Sequence, residues 1–381
     1  MIPRVLHVVV GRPKPEASNG VLKSVYYLTQ ELSKHGLKVG VLSLGKQRKT
    51  NSKTIGGVVT EFGVLRGRFP YLCRHTRQLI NNVRDDYDLV HFSSGYHISY
   101  YLIARRLKEA GVPWVVSPRG SYQVAANEKN RFIKRIYKTL FETFMFRNAS
   151  YVHVLNSNER EGAIQYGVSK GKLLVIPNAI DFNSIPPKNQ RNDSGKLQLI
   201  YCGRLDYYGK GLDVLIEAIA LIRERMAISV RLKLIGPGSE SDLKKIKVHV
   251  YEAGITDLVA YTGALYGEKK YCEYAQADLF ILPSRSEGFP TSVLEAMAFG
   301  TPCLVTPECN IPQDVIDAKG VLLADLTPDS LAEKIKLIFQ NRSLLADLSA
   351  NGIKLSKQFD IKSIASTHLA EYQNVLGDLK L

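Results

Sequence analysis

Short β-branched runs alternate with stretches of helical periodicity along the whole chain, and nothing else in the sequence restricts the fold as tightly. Such alternation is the signature of βαβ units around a parallel sheet, whose strands are buried on both faces. In the first half it predicts strands at 4–10, 38–44, 58–62, 89–93, 114–117, 151–155 and 173–176. Between the first two, Leu22, Val25, Tyr26, Leu28, Thr29 and Leu32 recur at helix spacing over 21–35, and Gly36 supplies a stop.

Across 183–196 the periodicity disappears and Pro186, Pro187, Asn189, Asn192, Asp193 and Gly195 accumulate, which reads as a linker. The pattern then restarts, with strands expected at 197–202, 230–235, 258–262, 279–282 and 302–305 and helices at 212–225, 241–253, 268–275 and 291–299. The expected fold class is α/β: two Rossmann-like, doubly wound domains, 1–187 and 195–360, facing a central cleft. A last helical segment, 361–381, has no following strand and is expected to cross back to the first domain. In open α/β sheets ligands bind beyond the carboxyl ends of the strands, so the chemistry should sit in strand-end loops.

Composition narrows the class. With 45% hydrophobic and 23% charged residues the 381-residue chain is no disordered tail, collagen or coiled coil. Five cysteines (Cys73, Cys202, Cys272, Cys303, Cys309) form no CxxC pair, which argues against a disulfide framework or zinc site and for a reducing, cytoplasmic setting. No stretch approaches the roughly 18 consecutive apolar residues of a spanning helix. The apolar start contains His7 and is followed by Arg12, Pro13 and Lys14, so it reads as a strand and not as a signal peptide. The net charge of +15 is placed unevenly: residues 1–189 carry 29 basic and 12 acidic groups, residues 190–381 carry 22 and 24. An anionic surface is therefore expected near the first half.

The most specific motif follows a buried strand and opens a helix: Pro283-Ser-Arg-Ser-Glu287-Gly288-Phe289-Pro290-Thr291-Ser-Val-Leu-Glu295. Glu287 lies in the loop and Glu295 inside the helix, so they address different parts of one ligand. The Gly288–Thr291 turn offers backbone N–H groups at a helix N-terminus, where phosphate is stabilised. Phosphate flanked by two carboxylates suits a sugar nucleotide, one acid accepting from ribose and the other from sugar hydroxyls. A second loop, Gly203-Arg204-Leu-Asp-Tyr-Tyr-Gly-Lys210-Gly211, follows the first strand of the second half and would set two cations beside a diphosphate. Gly236-Pro237-Gly238 lacks the rest of a nucleotide fingerprint and reads as a turn.

These residues resemble retaining glycosyltransferases of the GT-B fold, in the large family 4 of such enzymes. The resemblance rests on the E-x7-E motif of Glu287 and Glu295, the Gly203-Arg204 and Lys210-Gly211 loop, the segment Val175-Ile176-Pro177-Asn178-Ala179-Ile180-Asp181, and the Ser18-Asn19-Gly20-Val21 turn. It implies an N-terminal acceptor-binding domain and a C-terminal donor-binding one. It also implies that Arg204 and Lys210 neutralise the donor diphosphate, Glu295 binds ribose and Glu287 contacts the donor sugar. Gly203 and the turn of Gly288, Phe289, Pro290 and Thr291 join the donor-binding set, and Asn19 and Gly20 approach the phosphates from the other domain. Two positions depart from the family pattern: Asn19-Gly20 replaces Gly-Gly, and Arg119 in Ser117-Pro118-Arg119-Gly120 stands where His is frequent, leaving Arg119 as a donor-facing residue.

The implied reaction moves a hexosyl group from a nucleoside-diphosphate sugar, UDP-glucose first, to a glycan or lipid-linked acceptor in exopolysaccharide biosynthesis. Stabilising the diphosphate leaving group should dominate. The resemblance implies front-face attack with Glu287 as a positioning group, and no base is identifiable. Asp86-Tyr87-Asp88 is a literal DxD, but it precedes a strand and so lies at the wrong end of the sheet; no cofactor and no obligatory metal are expected. His91, His97 and His153 are scattered without ligand spacing, and His153 reads as a core or cleft residue and not as a catalyst.

Segment 129–147 reads as one helix, with Phe132, Ile133, Ile136, Tyr137, Leu140, Phe141 and Phe144 on one stripe and Arg131, Lys134, Arg135 and Lys138 on the other. Peripheral contact with an anionic membrane on the cytoplasmic face is one expectation; an ordinary core-facing helix is the other. A nucleic-acid-binding protein would explain the charge alone and leave both glutamates unexplained, so no nucleic-acid partner is expected. A sugar-nucleotide epimerase or phosphorylase shares the two-domain layout.

Overall fold

The computed structural model describes residues 2–17, 19–45, 51–55, 58–66, 71–120, 137–165, 167–182, 195–226 and 228–378. It divides into two compact units: Met1–Ala179 together with Ile361–Leu381, and Ile180–Asp360. The division falls earlier than the breaker-rich linker because Ile180 is tied to the far end of the second unit, its N–H donating to the Phe359 carbonyl at 2.9 Å. Most of the linker, 183–194, lies outside the described residues.

The first unit carries β1 (Arg4–Val10), β2 (Lys38–Gly45), β3 (Asn51–Ile55), β4 (Val58–Arg66), β5 (Tyr71–Leu72), β6 (Leu89–Ser93), β7 (Trp114–Ser117), β8 (Tyr151–Val154) and β9 (Leu173–Val175). They form a sheet in the order β3-β4-β2-β1-β6-β7-β8-β9, with β5 on β4. Pairings are parallel except at β3–β4 and β4–β5. Pleat alternation divides β1 between two cores. Leu6 and Val8 join Phe92, Trp114 and Val152 on one side; Val5 and Val9 join Leu28, Leu32, Leu89 and Val115 on the other. The second core is completed by Ile361, Ala365, Tyr372 and Val375, one stripe of the helix Ile361–Asp378, so the last helix is part of the first unit.

Toward the carboxyl ends of the strands that second face turns polar. His7 pairs in register with His91, and Ser93 with Ser117. The imidazoles of His7 and His91 stand 5.0 Å apart, His91 and His153 5.5 Å, and His153 and His368 4.8 Å. Histidines scattered in sequence are thus gathered by the fold into one buried cluster, with the Tyr372 hydroxyl 2.7 Å from His91 Nδ1. His153 Nε2 donates to the Ile176 carbonyl at 2.8 Å. Burial holds all four imidazoles neutral, His7 and His153 down to about 3 and His91 and His368 well below the usual value, with the Arg119 charge adding to each shift.

The second unit carries β10 (Leu197–Cys202), β11 (Val230–Ile235), β12 (Val259–Gly263), β13 (Leu279–Leu282), β14 (Cys303–Val305) and β15 (Leu322–Leu323), all parallel, in the order β12-β11-β10-β13-β14-β15. Strand order reverses between β10 and β13, and a crevice for ligands opens at such a switch point.

The segment expected as one helix over 129–147 is helical throughout its described part, but not as a regular α-helix. Lys138–Glu142 is a π-turn and Thr143–Asn148 a short α-helix. The π-turn shifts the register so that Phe141 and Phe144 both meet Tyr101, at 5.0 and 5.3 Å, while Leu140 is 57% exposed instead of lying on the buried stripe. Phe132, Ile133, Ile136, Arg131, Lys134 and Arg135 lie outside the described residues. Among the described residues no helix is long and apolar enough to cross a membrane.

The histidine cluster sets an acid limit on the first unit. A base whose folded pKa is depressed stabilises fully above its unfolded value near 6.5, and that stability is lost as pH falls from there toward the folded value near 3. Four such groups remove up to about 5 kcal/mol between pH 7.5 and 5.5. Urea titrations at the two pH values should show that loss, and it should shrink by about a quarter in His368→Leu; equal midpoints would contradict neutral burial.

Candidate active site

The loops leaving β10, β11 and β13 meet through bare backbone. Gly211 has φ +64, and a Cβ placed on it would lie 1.8 Å from the Pro283 carbonyl oxygen; one on Gly236, φ +144, would lie 1.8 Å from that of Gly203. The Gly236-Pro237-Gly238 turn thus braces the first loop, and Leu205 N–H donates to the Pro237 carbonyl at 2.8 Å. The loop is held further by the Tyr201 hydroxyl on the Arg204 carbonyl at 2.7 Å and by Asp206 Oδ1 accepting from Gly209 N–H at 2.9 Å. Its end is pinned from the β13 loop, where Arg285 N–H donates to the Gly209 carbonyl at 3.1 Å.

This packing places Lys210 against Glu287. The ammonium donates to Glu287 Oε1 at 2.5 Å, and Ser284 Oγ donates to the same oxygen at 2.8 Å. The Glu287 backbone is fixed on both sides, its N–H on the Glu308 carbonyl at 3.0 Å and its carbonyl accepting from Asn310 Nδ2 at 2.5 Å. Arg204 differs from Lys210: its side chain is 68% exposed and 4.0 Å from Asp206. Both Glu287 and Arg204 act on the buried Tyr201 phenol, which burial above all holds protonated.

Glu295 opens a second centre. The helix Thr291–Ala298 begins after Pro290, which has no side-chain cap, and Glu295 projects into the unit, 7% exposed. Lys270 Nζ donates to both its oxygens at 2.8 and 2.7 Å, and the Tyr274 hydroxyl donates to Oε2 at 3.2 Å. Phe289 is buried with its ring 5.2 Å from that of Phe359, so its side chain belongs to the core and only its backbone can serve a ligand. Sequence reading missed Lys270, Tyr274, Ser284 and Asn310; the i,i+4 spacing of Lys270 and Tyr274 was the one available signal.

In the first unit Asn19 caps the helix Gly20–Lys34, its Oδ1 accepting from Val21 N–H at 2.9 Å, so Gly20 is the first helical residue and not a free turn. Arg119, φ +51, donates from Nη1 to Ser24 Oγ and Asn178 Oδ1, both at 2.8 Å. Burial lowers its guanidinium to about 10. Glu159, held above the usual carboxylate range by burial, accepts from the N–H groups of Gly120 and of Leu155 and so fixes the Arg119 loop. Of the DxD, Asp88 is paired with Arg4 at 2.8 Å and Asp86 with Lys38 at 2.9 Å, at the amino end of the sheet. Among the described residues no group of three or more His, Cys, Asp or Glu stands ready to hold a metal ion.

Comparison with known proteins shows the family. The family described as "Glycosyltransferase Family 4" matches residues 18–184, and "Glycosyl transferases group 1" matches residues 183–355. The chain belongs to glycosyltransferase family 4. It is 29% identical over 247 residues to mannosylfructose-phosphate synthase of Agrobacterium fabrum, covering 60% of this chain and 54% of that protein. The chain thus spans about half the length of the first curated relatives it matches. A fuller match is the N,N'-diacetylbacillosaminyl-diphospho-undecaprenol alpha-1,3-N-acetylgalactosaminyltransferase of Campylobacter jejuni, 24% identical over 370 residues, covering 92% of this chain and 89% of the relative. Among solved structures, HepE of Anabaena in complex with UDP and glucose superposes with TM-score 0.75 at 16% identity, covering 98% of this chain and 99% of that one; this likeness shows the GT-B fold.

The glycine contacts make a direct prediction. Gly211→Ala adds αL strain of about 1 kcal/mol or more and an overlap with Pro283, so denaturant titration should show a clear loss of stability; Gly254→Ala, also at positive φ but with open space around it, should show the strain alone.

Proposed function

We propose that this chain is a retaining glycosyltransferase that moves a hexosyl group from a nucleoside-diphosphate sugar, UDP-glucose first, to a glycan or lipid-linked acceptor in polysaccharide biosynthesis. The observation that carries the reading is the meeting of Lys210 and Glu287 at the strand-order switch of the second sheet, with Arg204 at the end of the adjacent strand. In this reading Ile180–Asp360 binds the donor and the first unit binds the acceptor, with Arg119, Asn19 and Gly20 assigned to the donor-binding set. The relative named for a diphospho-undecaprenol acceptor supports a lipid-linked acceptor, and the excess of basic groups in residues 1–189 supports peripheral contact with an anionic, cytoplasmic membrane face.

Breaking the anomeric C–O bond puts negative charge on the departing diphosphate and positive charge on the sugar. Arg204 and Lys210 would meet the first, by electrostatics set in place before reaction. Lys210 is held by Glu287 alone among the contacts above, so an arriving diphosphate gives its ammonium a second anionic partner. Glu287, bound by Lys210 and Ser284, suits positioning of sugar hydroxyls better than nucleophilic attack. In this reading the loop at Gly203 and the turn of Gly288, Phe289, Pro290 and Thr291 complete the donor site, and Glu295 takes the ribose. No metal is assigned a role, the cations carrying the charge it would otherwise balance.

A panel of nucleotide sugars in a thermal-shift assay tests this. UDP or GDP at about 100 times its Kd should stabilise the protein by about 2.7 kcal/mol. The shift should shrink strongly in Glu295→Ala, where only the diphosphate contacts remain, and should survive EDTA. Lys210→Ala should lower kcat by about 10²–10³. Donor turnover without any acceptor would instead indicate an epimerase.

A further inference from the structure

The pairing of Lys270 with Glu295 is unusual for its burial. The two side chains are 11% and 9% exposed, yet they come from different helices, Gly267–Gln276 and Thr291–Ala298. An apolar pair of similar volume would pack there without the desolvation cost of two charges. The surroundings are apolar and rigid: Tyr274 is fully buried, its ring parallel to Phe299 at 5.7 Å and 5.8 Å from Phe280, and Tyr271 lies 4.9 Å from Phe299. Lys270 Nζ stands over the Tyr271 ring at 5.4 Å, so the ammonium is braced by an aromatic face as well as by the carboxylate.

We propose that Lys270 is the positioning residue of the donor site, fixing the Glu295 carboxylate so that it selects ribose over 2′-deoxyribose. The inference rests on reading Glu295 as the ribose-binding carboxylate. At 2.8 and 2.7 Å from the two oxygens, the ammonium sits close to the bisector of the carboxylate and, with the Tyr274 hydroxyl on Oε2, fixes both its position and its plane. Such a carboxylate accepts further hydrogen bonds only along fixed directions. A site built to receive a hydroxyl rejects the analogue that lacks it, and the discrimination is only as sharp as the acceptor is well placed. Lys270 touches no reacting atom; it acts through Glu295. The burial of Tyr274 keeps its hydroxyl protonated and so a donor to the same oxygen.

The test is calorimetric titration of UDP and GDP against their 2′-deoxy forms, in the wild type, Lys270→Met, Glu295→Ala and the double variant. The wild type should prefer the ribonucleotide. Lys270→Met should weaken it by about tenfold, one charged hydrogen bond's worth, while the deoxy form changes little and the preference collapses. In the Glu295→Ala background Lys270→Met should add nothing, and with active protein the donor KM should rise while kcat holds. An unchanged preference, an equal loss in the Glu295→Ala background, or tighter binding in Lys270→Met, which would make the ammonium a block on the carboxylate, each overturns the proposal. Should Lys270→Met fail to fold, Lys270→Gln carries the same test: it removes the charge and the two-oxygen contact and leaves a neutral donor, so the preference should narrow, and an unchanged preference with binding intact overturns the role. A wild type that binds no nucleoside diphosphate removes the donor reading itself; one that binds while Lys270→Met behaves identically removes only Lys270.

Discussion

Two glycines let three loops touch through main chain alone, and the charged geometry of the second unit depends on that contact. Gly211 abuts the loop after β13 and Gly236 abuts Gly203, leaving no room for a side chain at either point. Lys210 immediately precedes one of these contacts and Arg204 immediately follows the other, while Glu287 stands four residues beyond Pro283. Positions of long, flexible side chains are thereby inherited from the backbone, the least variable part of the structure. A parallel sheet supplies the scaffold: its strands end at one edge, and the loops that meet leave it where the strand order reverses between β10 and β13.

The two acidic residues then take up different electrostatic positions. Glu287 is shared by a lysine and a serine in a loop, with its carboxylate and the lysine 14% and 17% exposed. Glu295 is clasped between helices by Lys270 and Tyr274 in an aromatic setting. The first pair lies in loops and is somewhat more exposed, 17% and 14% against 11% and 9%, so it exchanges partners at lower cost. The second is costly to rearrange, since separating buried charges leaves each uncompensated. In the proposed reading, one carboxylate adapts to a ligand and the other defines where it sits.

Buried parallel strands were the most legible part of the sequence: β1, β6, β7, β10, β11 and β13 carry the bounds their apolar runs predict. β3, β5 and β15 were not legible. β3 is an edge strand of Asn, Ser, Lys and Thr ending in Ile, and the other two are only two residues long, so pairing and not hydrophobicity defines them. For the site, the spacing of Glu287 and Glu295 was readable, whereas their partners were not. Lys270 follows Lys269 and looks like a solvated run, and only the packing of two helices turns one of the pair inward. Phe289 sits inside the motif yet points into the core, and Arg119 is held by Ser24 and Asn178 from distant segments. The histidine cluster draws on four elements spread over most of the chain, a coincidence no local pattern encodes.

The first unit is discontinuous in sequence, and this orders events during synthesis. Its sheet is specified by residues up to Ala179, but the helix Ile361–Asp378 that covers one face of that sheet is translated only after all of Ile180–Asp360. On the ribosome the nascent sheet therefore has to wait, its His7, His91 and His153 side not yet covered by the helix that carries His368, while the later unit can close on itself first. The earlier-made half is the one that matures last.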